Sequence, residues 1–131
     1  MIMSFCHRNR LAAIMLSIAL AGVAARAATP IRLTDGNAAT LGAESALQRG
    51  DCGVASALYL KASQLLAQAE LAQRATAVAL DCGQVASALA AAGRWVNLAP
   101  GDSPAALARV RAALAGFRIA EAQEYFRAWL G

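Results

Sequence analysis

Three cysteines, one histidine and eight carboxylates hold most of the chemical repertoire of this 131-residue chain. Cys6 and His7 precede a long apolar run, whereas Cys52 and Cys82 stand thirty residues apart in the remainder. A zinc site needs close-set cysteine or histidine ligands, and no such spacing occurs beyond residue 7. A nucleophile activated by imidazole needs a histidine, and His7 is the only one. The carboxylates (Asp35, Glu44, Asp51, Glu70, Asp81, Asp102, Glu121, Glu124) are scattered. Asp51, Asp81 and Asp102 fall at turns, where a short carboxylate bonds to backbone. Glu121 and Glu124, three apart, share a helical face with Arg118 and read as solvated. No glycine-rich phosphate loop is present. The pattern points away from an enzyme and from a resident metal or cofactor.

Composition sets what can position these residues. Alanine accounts for 36 residues, and 59 % of the chain is hydrophobic with only 15 % charged. Alanine loses no side-chain entropy in a helix, so the composition favours an all-α fold over a sheet. The net charge of +4 is local in origin. Arg8, Arg10 and Arg26 lie in the first 27 residues, which hold no acid. The remainder carries nine basic and eight acidic residues, too even a balance to hold a nucleic acid by counterion release.

The first 27 residues have the layout of a secretory signal. A short positive stretch with His7, Arg8 and Arg10 precedes the apolar run LAAIMLSIALAGVAA. Ala25-Arg26-Ala27 then supplies the small-x-small pattern, so cleavage is expected after Ala27. The alternative is an uncleaved anchor. Fifteen apolar residues reach about 22 Å at helical rise, short of a ~30 Å hydrocarbon core. Contact with a membrane is therefore expected only in transit, and Cys6 is not placed for lipid attachment. The expected product, residues 28–131, is periplasmic or secreted. There Cys52 and Cys82 form an even pair in an oxidising compartment, which favours a disulfide over two free buried thiols.

Self-similarity organises the rest. DCGVASAL at 51–58 returns as DCGQVASAL at 81–89. A second pattern is better spaced: Gly50, Ala55, Tyr59 and Ala62, then Gly83, Ala88, Ala92 and Trp95, then Phe117, Ala122, Phe126 and Trp129. Its starts are 33 and 34 residues apart, against 30 or 31 for the DCG strings. The 33–34 spacing is preferred, because stacked helices need small residues at fixed places. RGDCGVASALYLKA (49–62), CGQVASALAAAGRWVNLAP (82–100) and FRIAEAQEYFRAWL (117–130) resemble the turn and second helix of tetratricopeptide repeats. The first helices lack that family's usual Trp, and the repeat count stays at two or three. The resemblance implies antiparallel helical hairpins stacked as a short solenoid over residues 36–131, in units of about 36–68, 69–102 and 103–131, after a leader at 28–35.

Local signals delimit six helices. Thr34, Asp35 or Asn37 caps the first, which runs to about Arg49 and ends at Gly50-Asp51. The next three cover Val54 to about Ala67, Glu70 to Asp81, and Val85 to Leu98. Asp102 or Ser103 caps the fifth, with Pro104 in its first turn, and Gly116 closes it; Ile119 to Leu130 is the sixth. Leu58, Leu65, Leu66, Leu107, Val110 and Leu114 form the expected apolar stripes, and Tyr59, Trp95, Phe126 and Trp129 the core anchors.

The resemblance also implies a function: binding a protein or peptide, without catalysis, in a groove lined by first helices. Glu44, Gln48, Glu70, Gln73 and Arg111 are the polar side chains it places there. Arg111 stands as the one cation, too few to clamp a terminal carboxylate. Phe117, Tyr125, Phe126 and Trp129 crowd the last fifteen residues and mark a docking edge for a partner or a second copy of the chain. The alternative is a truncated remnant of a larger exported repeat protein, without independent function.

Overall fold

The computed structural model describes residues 34–131. The expected signal segment, with Cys6, Ala25 and Ala27, and leader residues 28–33 lie outside the described residues. Six helices and no strand make up what is described: α1 Asp35–Gln48, α2 Cys52–Leu65, α3 Ala69–Asp81, α4 Val85–Leu98, α5 Ser103–Ala115 and α6 Ile119–Leu130. They pack as consecutive pairs, α1 with α2, α3 with α4 and α5 with α6. Further contacts join α2 to α3, α4 to α5, α2 to α4 and α3 to α5.

Caps explain where the helices begin. Thr34 accepts a hydrogen bond from the Asn37 N–H at 3.2 Å, so α1 begins at Asp35. The Asp51 carboxylate accepts from the Val54 N–H at 3.4 Å, which draws Cys52 and Gly53 into α2, ahead of the expected Val54 start. That helix stops at Leu65, because Leu66 is extended. Asp102 precedes α5 without a side-chain cap bond, and the Asp81 carboxylate at the end of α3 makes no hydrogen bond to backbone among the described residues. Of the three turn aspartates, only Asp51 plays the expected part.

The turns inside the pairs repeat one geometry. Asp51, Gln84 and Arg118 each donate a backbone N–H five residues back, to Ala46, Ala79 and Ala113, at 2.9, 2.8 and 2.9 Å. The residue before each donor is left-handed: Gly50 at φ +73°, Gly83 at +66° and Phe117 at +56°. This six-to-one bond satisfies a carbonyl that the helix end leaves open. The 33–34 spacing is thus the structural register. The DCG strings are not equivalent, since Asp51-Cys52 opens α2 whereas Asp81-Cys82 closes α3.

Short connections make neighbours antiparallel. Gly36, near the start of α1, lies against Leu66 at the end of α2, where an added Cβ would come within 2.5 Å of the leucine Cγ. At the far end, the Trp129 indole N–H donates to the Ser103 hydroxyl at 3.3 Å. The same alternation brings the start of α2 beside the end of α3. Cys52 and Cys82 are joined there by an S–S bond of 2.01 Å, with their Cα atoms 5.5 Å apart.

Alanines, rather than leucines, fill the core. Ala43, Ala46, Ala55, Ala75 and Ala91 pack with Tyr59 and Val78 between the first two pairs. Ala72, Ala105 and Ala108 pack with Trp95 between the second and third. The expected apolar stripes are corrected: Leu65, Leu107 and Leu114 are exposed, and Leu58, Leu66 and Val110 only half-buried. Helices that meet along rows of methyl groups leave no room for branched side chains between them, so the leucines lie over the flanks. Each buried methyl adds roughly 0.8 kcal/mol, and stability accumulates from many such contacts. Phe126 and Trp129 are likewise not core anchors, because α6 has α5 alone for a neighbour among the described helices.

Candidate functional site

The faces of α3 and α5 enclose the larger of two described cavities, about 430 Å³. Gln73, Thr76, Ala77 and Leu80 come from α3, Trp95 from α4, and Pro104, Leu107, Ala108 and Arg111 from α5. Its floor is fixed by local sequence. Ala72 and Ala108 let the helices approach, Trp95 is 7 % exposed beneath them, and the Thr76 hydroxyl is satisfied by donating to the Ala72 carbonyl at 2.8 Å. The rim is polar on both sides, with Gln73 and Arg111 exposed and no ion pair to Arg111 among the described residues. An apolar slot with a guanidinium at its edge can hold a short apolar segment carrying a negative charge.

Two of the five sequence-derived groove residues, Gln73 and Arg111, therefore meet at this cavity, and the other three do not line it. Glu44 on α1 is engaged elsewhere. Its carboxylate accepts the Tyr59 hydroxyl and pairs with Arg74 at 3.7 Å. Arg74 also donates to the Tyr59 oxygen at 3.4 Å and lies 5.6 Å from the ring centroid. Burial and the bond to Glu44 hold the Tyr59 phenol above its ordinary pKa, and its bond with Tyr59 raises Arg74 further. The cluster locks α1, α2 and α3 together. Gln48 and Glu70, near opposite helix ends, are exposed.

Arg111 is not the only cation on the first helices. Arg74 and Arg109 were legible there by position, but each is occupied. Arg109 stacks 3.9 Å from the Tyr125 ring centroid, beside a smaller cavity of about 200 Å³ lined by Val96, Asp102, Tyr125 and Trp129 among others. The indole of Trp95, taken only as a core anchor, is the main residue that sequence reasoning missed at the groove.

The expected docking edge separates into two parts. Tyr125 turns inward onto Arg109 and donates to Glu121 at 3.2 Å. Phe117, Phe126 and Trp129 are exposed, the last two with ring centroids 5.6 Å apart. Glu121 pairs with Arg118 at 2.6 Å, and Glu124 is exposed on the same helix. Among the described residues no cluster of three metal-ligating side chains occurs, and no helix is long and apolar enough to cross a membrane. No protein-family model matches this chain, and no curated protein is significantly similar to it.

Proposed function

We propose that the chain is an exported protein-interaction module, a short solenoid of three helical hairpins that resembles tetratricopeptide repeats and takes a peptide segment between α3 and α5. The observation that carries this reading is the cavity on the first-helix face, with Trp95 and Leu107 for an apolar side chain and Arg111 at its rim. Three turns in a common 33–34 register support the repeat, and an intramolecular disulfide fits a periplasmic or secreted setting. The ligand this surface fits is a short segment that pairs a leucine- or phenylalanine-like side chain with a carboxylate. Binding, without catalysis, is the activity this reading assigns to the chain.

Peptide selection tests it. A random peptide library displayed on phage, panned on residues 28–131, is expected to enrich sequences with an apolar and an acidic residue close together. Synthetic copies should bind in calorimetry, with affinity falling about tenfold in Arg111→Ala, a loss of one charge-assisted bond. Failure to enrich any sequence over an unrelated helical protein overturns the reading. So does binding that survives both Arg111→Ala and Leu107→Glu.

A further inference from the structure

We infer that the outer face of α5 and α6 is a self-association surface, on which a second copy of this chain seats the same face about a two-fold axis. The internal repeat identifies the surface. Leu47, Leu80 and Leu114 occupy one position of the 33–34 register; Tyr59, Ala92 and Phe126 a second; Ser63, Val96 and Leu130 a third. In the first pair these positions meet the second: Leu47 and Tyr59 join the cluster that contains Ala75 and Val78, and the Ser63 carbonyl accepts from Arg94 at 3.2 Å. In the second pair they meet the third, with Leu80 packed in the cluster of Ala112 and Val96 in that of Ala105 and Ala108. Tyr59 is 1 % exposed and Ala92 fully buried. In the third pair the same positions are uncovered: Leu114 is 47 %, Phe126 42 % and Leu130 66 % exposed.

The face is thus a third instance of an interface that the chain already makes twice, and it carries its largest apolar side chains there. Its occupant follows from the other end. Of the positions by which α3 meets the preceding pair, Val78 and Cys82 correspond in α1 to Ser45 and the following Arg49, which donates to Ser45 at 2.6 Å, and Arg74 corresponds to the exposed Leu41. Head-to-tail stacking would seat leucine and phenylalanine on a hydroxyl and a guanidinium, burying polar groups against apolar ones. Two copies of the apolar face avoid that. Arg118 at the N-cap and Glu121, Glu124 and Arg127 on α6 sum to zero charge, so bringing two copies of this helix together adds no net like charge.

Light scattering on the purified residues 28–131, from low to high micromolar concentration, decides it. The mass is expected to double and then plateau. Leu114→Glu with Leu130→Glu, both at exposed sites, should return it to one chain length with unchanged helical circular dichroism. Leu41→Glu, on the exposed side of α1, should leave the plateau in place. A monomer at every concentration overturns the inference and leaves the face to a different protein. A mass that climbs past two copies without a plateau overturns it in favour of head-to-tail stacking, and a dimer that persists in the double variant overturns it as well. None of these outcomes bears on the α3–α5 cavity, whose lining excludes the substituted residues.

Discussion

Phe117 stands where Gly83 stands one pair earlier, in the same left-handed turn, at φ +56° against +66°. A left-handed conformation costs an L-residue roughly 1–2 kcal/mol, which glycine avoids. Phe117 is 89 % exposed and gains little packing in return. Phe117→Gly is therefore expected to stabilise the fold by about 1 kcal/mol after the entropy glycine adds to the unfolded chain, and Gly83→Ala to destabilise it by a similar amount. Nothing lies within 4 Å of an added Cβ at Gly83, so the loss would come from the backbone alone. Urea denaturation at one fixed protein concentration measures both; equal midpoints for the wild type and the two variants would refute the equivalence of the turns.

The Cys52–Cys82 bond crosses a sequence separation of 30 residues. In the chain-entropy account a loop of that size restricts the unfolded state by about 3–4 kcal/mol. The double variant Cys52→Ser with Cys82→Ser should lose that much in urea denaturation, and the wild type should fall to the same midpoint in reductant. Two thiols titratable in the native, unreduced protein would contradict the bond.

Ser56 is fully buried in α2, and its hydroxyl has no hydrogen-bond partner among the described residues. An unmade bond at a buried donor costs about 1–3 kcal/mol. Ser56→Ala removes the hydroxyl and leaves a methyl of the kind that lines the neighbouring interfaces. It should raise stability by about 1 kcal/mol; a clear loss in calorimetric melting would mean that the hydroxyl is satisfied in solution.

Tyr59 couples α1 to α3 through Glu44 and Arg74. Its pKa lies above the ordinary value of 10.0, by burial first and then by the bond to Glu44. The folded state therefore holds the phenolic proton more tightly than the unfolded chain. This contribution is complete below about pH 10 and is lost as pH rises through the folded-state pKa. Tyr59→Phe should lower stability at neutral pH by about 1 kcal/mol and flatten its decline at alkaline pH. Ultraviolet titration of the two-tyrosine wild type should show one group ionising late, and that late group should be absent from Tyr59→Phe.

What the residues alone determined was the local architecture. Glycine at Gly50 and Gly83, proline at Pro104 and alanine throughout specify turns and helices through backbone sterics and propensity, so α4 and α6 begin and end where spacing put them. The repeat register was legible for the same reason, since close approach tolerates only small residues at fixed intervals. What tertiary structure decided was which side chains are covered. Leu107 and Ala108 are adjacent in sequence, yet the alanine is buried and the leucine opens onto a cavity, because burial depends on where the next helix lies. Helical periodicity marks an apolar face without saying whether a neighbour occupies it. That is why Phe126 and Trp129 read as core and proved exposed, and why Trp95, read as core alone, also floors the cavity at whose rim Gln73 and Arg111 meet.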